Sequence, residues 1–273
     1  MDENKLKNLI RQKQSYLCVG LDSDIKKIPK HLAKSYDPVF EFNKQIIEAT
    51  KQFAVAYKIN TAYYESRGPE GWRSIERTLA VLPDDCLRIA DVKRSDIGPT
   101  AEHYARAMFE AYNFHGMTVS PYMGRDSVDP YLDYFEKWTF LLTATSNEGA
   151  NDFQLVRDIS NKALYEQVVK KALTWKGKGI LGFVVGGTRP EAVRTVRAAA
   201  PDSFLLVPGV GIQGADLEQI CEIGSNTKGG LLINISRSII YSGSEKDFED
   251  KAHETAEHFA RRMAPHVRTA LPS

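Results

Sequence analysis

The sequence predicts a single α/β domain, residues 1–273, folded as a (β/α)8 TIM barrel with an extra N-terminal helix. Three observations predict it. Eight short apolar or β-branched runs recur along the chain, each followed by a polar turn and a segment of helical spacing. The length, 273 residues, matches the ~250 that one such barrel requires. No linker, low-complexity tract or change of composition interrupts the alternation. An open doubly wound sheet uses the same alternation, but eight units favour closure.

The elements follow in order. Residues 1–15 read as an amphipathic helix with Leu6, Leu9 and Ile10 on one face, placed to close the lower end of the barrel. Strands are predicted at 16–22, 55–60, 87–93, 117–122, 140–146, 180–185, 204–210 and 231–235. Helices are predicted near 38–53, 69–82, 97–112, 126–137, 159–175, 190–200, 213–223 and 245–263. The third of these carries Tyr104, Ala107, Met108 and Ala111 at helical spacing. Pro38, Pro69 and Pro190 stand at helix starts, where a missing N–H does no harm.

Apolar residues make up 42% of the chain and charged residues 26%, the balance of a soluble globular protein with a sizeable core. A net charge of +1 gives no basic field, so no nucleic-acid partner is expected and any phosphate must be gripped locally. Cys18, Cys86 and Cys221 are far apart and form no CxxC pair, which argues against a disulfide framework and a zinc site. They are expected to pack as small hydrophobes. Met1-Asp2-Glu3-Asn4-Lys5 is too charged for a signal peptide, and no run approaches the ~18 apolar residues of a membrane span. A cytoplasmic location without membrane contact is expected.

In such a barrel the chemistry sits at the C-terminal ends of the strands, so the polar residues ending each run are the candidates. They are Gly20-Leu21-Asp22 on the first strand, Lys58 and Asn60 on the second, and Asp91 and Lys93 on the third. Thr145-Ser146 ends the fifth, Pro208-Gly209-Val210-Gly211 the seventh and Ser236-Arg237 the eighth. Side chains alternate faces along a strand, so Asp91 and Lys93 should point the same way and their charges should meet. Asp96 follows where the apolar run has stopped. It stands four residues before Thr100, a spacing that puts the two on one face of the following helix. Two acids and two lysines, Asp22, Lys58, Asp91 and Lys93, then converge on one rim.

The turn from Pro208 to Gly214, with Gln213 inside it, offers backbone N–H groups leading into a helix N-terminus, and Arg237 adds a guanidinium. Loops after the seventh and eighth strands are where many barrels hold a substrate phosphate. Other features carry less. His253 and His258 are five apart and face different ways, and Asp22 with Asp24 lacks a completing set of carboxylates, so no metal site is expected. No Gly-x-Gly-x-x-Gly follows the first strand. Gly186-Gly187-Thr188-Arg189-Pro190 reads as a strand-to-helix connection more readily than as a second anion loop.

Taken together, the chain resembles the orotidine 5'-phosphate decarboxylase family over nearly its whole length. The family signature Asp-x-Lys-x-x-Asp, followed by Ile and Thr, stands here as Asp91, Lys93, Asp96, Ile97 and Thr100. Gly20-Leu21-Asp22, Lys58, Pro208-Gly209-Val210-Gly211 with Gln213, and Arg237 accompany it in order. Lys58-Ile59-Asn60 with Tyr63-Tyr64-Glu65, and Thr145-Ser146-Asn147-Glu148-Gly149, resemble the longer bacterial branch. Ser236 stands where many relatives have glycine before the phosphate arginine.

The resemblance implies conversion of orotidine 5'-monophosphate (OMP) to uridine 5'-monophosphate (UMP) and CO2, the last step of pyrimidine nucleotide synthesis, with no metal or organic cofactor. It implies Lys93 as cation and proton donor, Asp91 beside the departing carboxylate, Lys58 positioning that acid and Asp22 on the ribose. It further implies that Ser146 reads the pyrimidine edge, Gln213 bridges base and phosphate, Pro208 lines the substrate and Arg237 clamps the phosphate. It also implies that Asp96 and Thr100 reach into the neighbouring subunit's site across a homodimer. The same core occurs in Mg2+-dependent hexulose-phosphate synthases, which keeps a sugar-phosphate lyase open as an alternative. A non-catalytic nucleotide-binding barrel is the other.

Overall fold

The computed structural model describes residues 1–211 and 214–272. Its centre is a closed barrel of parallel strands hydrogen-bonded in chain order, with the first and last strands also paired. The strands are β1 (Leu17–Gly20), β2 (Ala56–Asn60), β3 (Leu87–Arg94), β4 (Gly116–Val119), β5 (Trp138–Leu142), β6 (Ile180–Val184), β7 (Leu205–Pro208) and β8 (Leu231–Ile235). The helices are α1 (Glu3–Lys13), α2 (Pro38–Thr50), α3 (Ala62–Glu65), α4 (Pro69–Val81), α5 (Gly98–Arg106), α6 (Asp129–Leu132), α7 (Leu164–Ala172), α8 (Pro190–Ala199), α9 (Leu217–Gly224), α10 (Arg237–Ile240) and α11 (Phe248–Ala270). The expected (β/α)8 barrel with its extra N-terminal helix is therefore the observed fold.

Strands buried on both faces need near-continuous apolar sequence, and β1, β4 and β8 are buried at every position. Each outer helix turns an apolar stripe inward, as α2 does with Val39, Phe42 and Ile46. Pro38, Pro69 and Pro190 occupy first helical turns, as expected. Asp37 and Asp216 cap α2 and α9 by accepting the amides of Phe40 and Gln219.

Helix α1 lies under the N-terminal ends of the strands. Leu6, Leu9 and Ile10 are buried, and Trp138 at the start of β5 donates its indole N–H to the carbonyl of Met1 at 2.7 Å. Lys13 donates to the carbonyls of Lys51 and Ala54 in the turn before β2. The lower end of the barrel is closed as the amphipathic pattern predicts.

Several helices differ from their expected spans: α5 passes into a π-helical turn at Ala107–Ala111, α9 starts at Leu217, and three others have a visible cause. The span 126–137 shortens to a 3-10 turn, Arg125–Ser127, and α6, because Lys178 and Gly179 donate their amides to the carbonyl of Leu132. A continuing helix needs that carbonyl for itself. Helix α7 starts later than 159 because the Asp158 carboxylate accepts the amides of Ser160 and Lys162, an alternative to helix for those groups. Helix α11 continues past 263 through Pro265, whose missing N–H costs one bond while Met263 and Val267 prolong the buried stripe.

Candidate active site

The polar residues at the C-terminal ends of the first three strands form a row of alternating charge. Lys58, carried by β2, is 3% exposed, and its Nζ lies 2.7 Å from Asp91 Oδ2 and 3.6 Å from Asp22 Oδ1. Lys93 Nζ lies 2.6 Å from Asp91 Oδ1. The order Asp22, Lys58, Asp91, Lys93 runs from a buried centre to a lysine side chain that is 50% exposed. Burial pushes Asp91 upward in pKa, but the ammonium groups of Lys58 and Lys93 outweigh it and hold the carboxyl well below its usual range. For Lys58 burial favours the neutral amine, and Asp22 and Asp91 outweigh it, so its pKa is raised. All the charges in the buried part of the row depend on one another.

Asp91 and Lys93 meet as expected, but not by regular strand alternation. Pairing between β3 and β4 runs Ile89 with Gly116 and Ala90 with Met117, then jumps to Arg94 with Val119. Asp91, Val92 and Lys93 thus face the single residue Thr118, a bulge in β3. Lys93 takes φ +47°, a left-handed conformation rare for a residue with a side chain. The Thr118 hydroxyl accepts the amides of Val92 and Lys93 and donates to Asp91 Oδ1.

The Asp22 end is fastened from β8. Ser236 donates its hydroxyl to the carbonyl of Gly20 at 2.9 Å, which gives the residue that stands in place of glycine a definite contact. Tyr241 accepts the amide of Asp24 and donates to the carbonyl of Asp22.

The loops after β5 to β8 crowd together on the adjoining arc of the rim. A Cβ on Gly186 would lie 2.8 Å from the amide of Ser146, and one on Gly211 would lie 2.7 Å from Ser238 Oγ. Gly209 has φ +87°, and its absent Cβ points toward Ser146 Oγ at 3.9 Å. Ser146, Pro208-Gly209 and the Arg237-Ser238 pair thereby share one region. Arg237 opens α10, is exposed and has no ion pair among the described residues. Gln213 lies outside the described residues.

Asp96 and Thr100 stand apart from this row in their own chain. The expectation that both sit on one helix is corrected: Ile97 is the N-cap and α5 begins at Gly98. Asp96 precedes the helix, where its carboxylate accepts the amide of Ile97 at 2.9 Å. Thr100 is exposed in the first turn.

Thr118 and Tyr241 escape a search confined to strand ends. Thr118 lies inside the apolar run of β4, where a polar β-branched residue between Met117 and Val119 is the available signal. Tyr241 lies beyond α10. Arg189 donates to the carbonyls of Thr145 and Asn147, so the 186–190 segment braces the loop after β5. The cysteines are buried, their thiols pushed up to about 12 by burial.

Residues 15–249 match the orotidine 5'-phosphate decarboxylase / HUMPS family. The chain belongs to this family. Among its relatives, the orotidine 5'-phosphate decarboxylase of Flavobacterium johnsoniae is 48% identical over 267 residues, which cover 97% of each chain. That of Bacteroides fragilis is 44% identical over 274 residues, covering 99% of this chain and all of the relative. Among solved structures, the OMP decarboxylase of Leishmania donovani superposes with a TM-score of 0.84 at 36% identity, covering 98% of this chain and 99% of that one. The UMP synthase of the same organism superposes at 0.85 with 37% identity, and there this chain spans 56% of the longer protein. The orotidine 5'-phosphate decarboxylases it resembles are carboxy-lyases, and the charged row described above stands on the barrel end where the fold places its chemistry.

Proposed function

We propose that the chain decarboxylates OMP to UMP and CO2, the final step of UMP synthesis, without metal or organic cofactor. The observation that carries this reading is the row Asp22, Lys58, Asp91, Lys93, with an ammonium group at its open end. Breaking the bond from C6 to the carboxylate leaves the electron pair on C6, where no adjacent carbonyl can accept it. The site must then stabilise that charge directly. Lys93 supplies the cation and afterwards the proton that completes UMP. Asp91, kept ionised by its two lysines, sets the position of Lys93 and faces the substrate carboxylate. Its repulsion of that carboxylate raises the energy of the bound substrate relative to the transition state. Lys58 holds Asp91, and Asp22 binds the ribose.

Arg237 and the Pro208-Gly209-Val210-Gly211 turn take the phosphate, Gln213 bridges base and phosphate, and Ser146 contacts the pyrimidine edge. Lys58 favours a decarboxylase over a Mg2+-dependent sugar-phosphate lyase. Its ammonium already pairs with Asp22 and Asp91, the carboxylates that a divalent cation on this rim would call on.

The working unit in this reading is a homodimer in which Asp96 and Thr100 complete the partner's site. Its support is that neither joins the charged row of its own chain, and that Ile97, Tyr122, Met123 and Phe153 expose apolar surface on the loops after β3, β4 and β5. The Tyr122 and Phe153 rings lie 6.3 Å apart, part of a patch that a second copy can cover. Purified protein with excess chelator and OMP tests the activity through the pyrimidine absorbance. Conversion to UMP at undiminished rate is expected, and no conversion, beside an active control enzyme, overturns the reading.

A further inference from the structure

We infer that Thr118 is a positioning residue for Lys93, acting through the β3 bulge rather than on substrate. The inference rests on the decarboxylase reading above and adds to it a residue outside the family signature. Three residues of β3 oppose one residue of β4 at this point, and a bulge of that size leaves ladder amides without their regular partners. Thr118 supplies the replacement: its Oγ1 accepts from Val92 N at 3.0 Å and Lys93 N at 2.9 Å. The hydroxyl proton is then free for one acceptor, and it goes to Asp91 Oδ1 at 3.0 Å. Both lone pairs and the single proton are therefore committed. That oxygen of Asp91 is the one on which Lys93 Nζ rests.

The consequence is geometric. Lys93 is held at φ +47°, a conformation its side chain disfavours, and the hydrogen bond from its amide to the Thr118 hydroxyl fixes the backbone there. The other bond fixes Asp91 Oδ1. One hydroxyl thus sets both ends of the pair, the root of the lysine and the carboxylate that holds its tip. Thr118 is 1% exposed, so water is poorly placed to take over. Valine has the shape of threonine without the hydroxyl, and a strand position suits it. T118V therefore removes the three bonds with little change in packing.

Wild type, T118V, T118A and T118S are compared for kcat, KM for OMP, UMP affinity and thermal unfolding. A misplacement near 1 Å at the reacting group costs about 100-fold, so kcat should fall by that factor in T118V and T118A. UMP affinity, which draws on ribose and phosphate contacts elsewhere on the rim, should stay within about 2-fold, a difference worth under ~0.5 kcal/mol. T118S should recover most of the lost kcat. If wild type itself fails to decarboxylate, the underlying reading is lost. If wild type is active and the hydroxyl-less variants keep its kcat, the inference is overturned. It is equally overturned if T118S is as impaired as T118V, or if both hydroxyl-less variants fail to fold, which would make Thr118 purely structural.

Discussion

Lys93 is the residue on which the proposed chemistry turns, because it alone of the two row lysines reaches the open side of the site. Lys93→Ala removes both the cation near C6 and the proton donor. It should lower kcat at least about 1,000-fold while UMP still binds, as calorimetry with UMP can verify. Arg237 acts at the far end of the substrate, where binding energy is converted into closure and alignment. Arg237→Ala should cost about 3 kcal/mol in kcat/KM for OMP and leave any turnover of orotidine, which has no phosphate, unchanged. An equal loss on both substrates removes the phosphate role. Asp91 has its own signature. Its pKa is depressed in the folded protein, so it stabilises the fold above the ~3.9 of an unfolded aspartate and loses that contribution as pH falls through the folded value. Denaturant titrations from pH 6 downward should show wild type losing more stability on acidification than Asp91→Asn. Parallel curves would mean that Asp91 is not held by its lysines.

Among the elements, the strand ends were the legible part. Asp22, Lys58, Asp91 and Lys93 come together because parallel strands in a closed barrel bring their C-terminal ends to one rim, a property of topology that alternation of apolar runs reveals. The bulge was not legible. Its register jump depends on a hydroxyl from β4 replacing ladder partners, and nothing local to Asp91-Val92-Lys93 announces it. The shortened α6 has the same cause in another place, since the Leu132 carbonyl is taken by amides more than forty residues away. Residue spacing alone puts Asp96 on the helix that it in fact precedes, because the start of α5 is set by Gly98, at φ +53°, rather than by a side-chain cap. The opposite end of the barrel makes a contrasting prediction. Arg197 of α8 donates to the carbonyls of Gly224, Ala200, Pro201, Ser203 and Gly230, and burial lowers its pKa to about 10. Arg197→Met leaves those carbonyls without their donor and should cost about 3 kcal/mol of stability with kcat unchanged below the new melting point. A variant as stable as wild type would show that the carbonyls find other partners.

At the scale of the whole molecule, the barrel separates stability from chemistry. Helix α1, Trp138 and Arg197 close one end, and the charged row and the phosphate-side loops occupy the other. What one chain does not assemble is a carboxylate beside Lys93 from Asp96, and the homodimer reading supplies it from a second copy. Lys93→Ala and Asp96→Ala should each be nearly inactive alone. After verified subunit exchange each mixed dimer has one intact site, and random pairing should restore about a quarter of wild-type activity. No recovery would place Asp96 in its own subunit's site.

The most direct test of the central claim follows the proton itself. Wild type and Lys93→Ala are given OMP in D2O with excess chelator, and UMP is analysed by NMR at C6. Wild type should form UMP carrying deuterium at C6, with CO2 released in equal amount, and Lys93→Ala should form almost none. Turnover by Lys93→Ala at a rate near wild type, with C6 still deuterated, would contradict the account, because the proton would then reach C6 without the lysine.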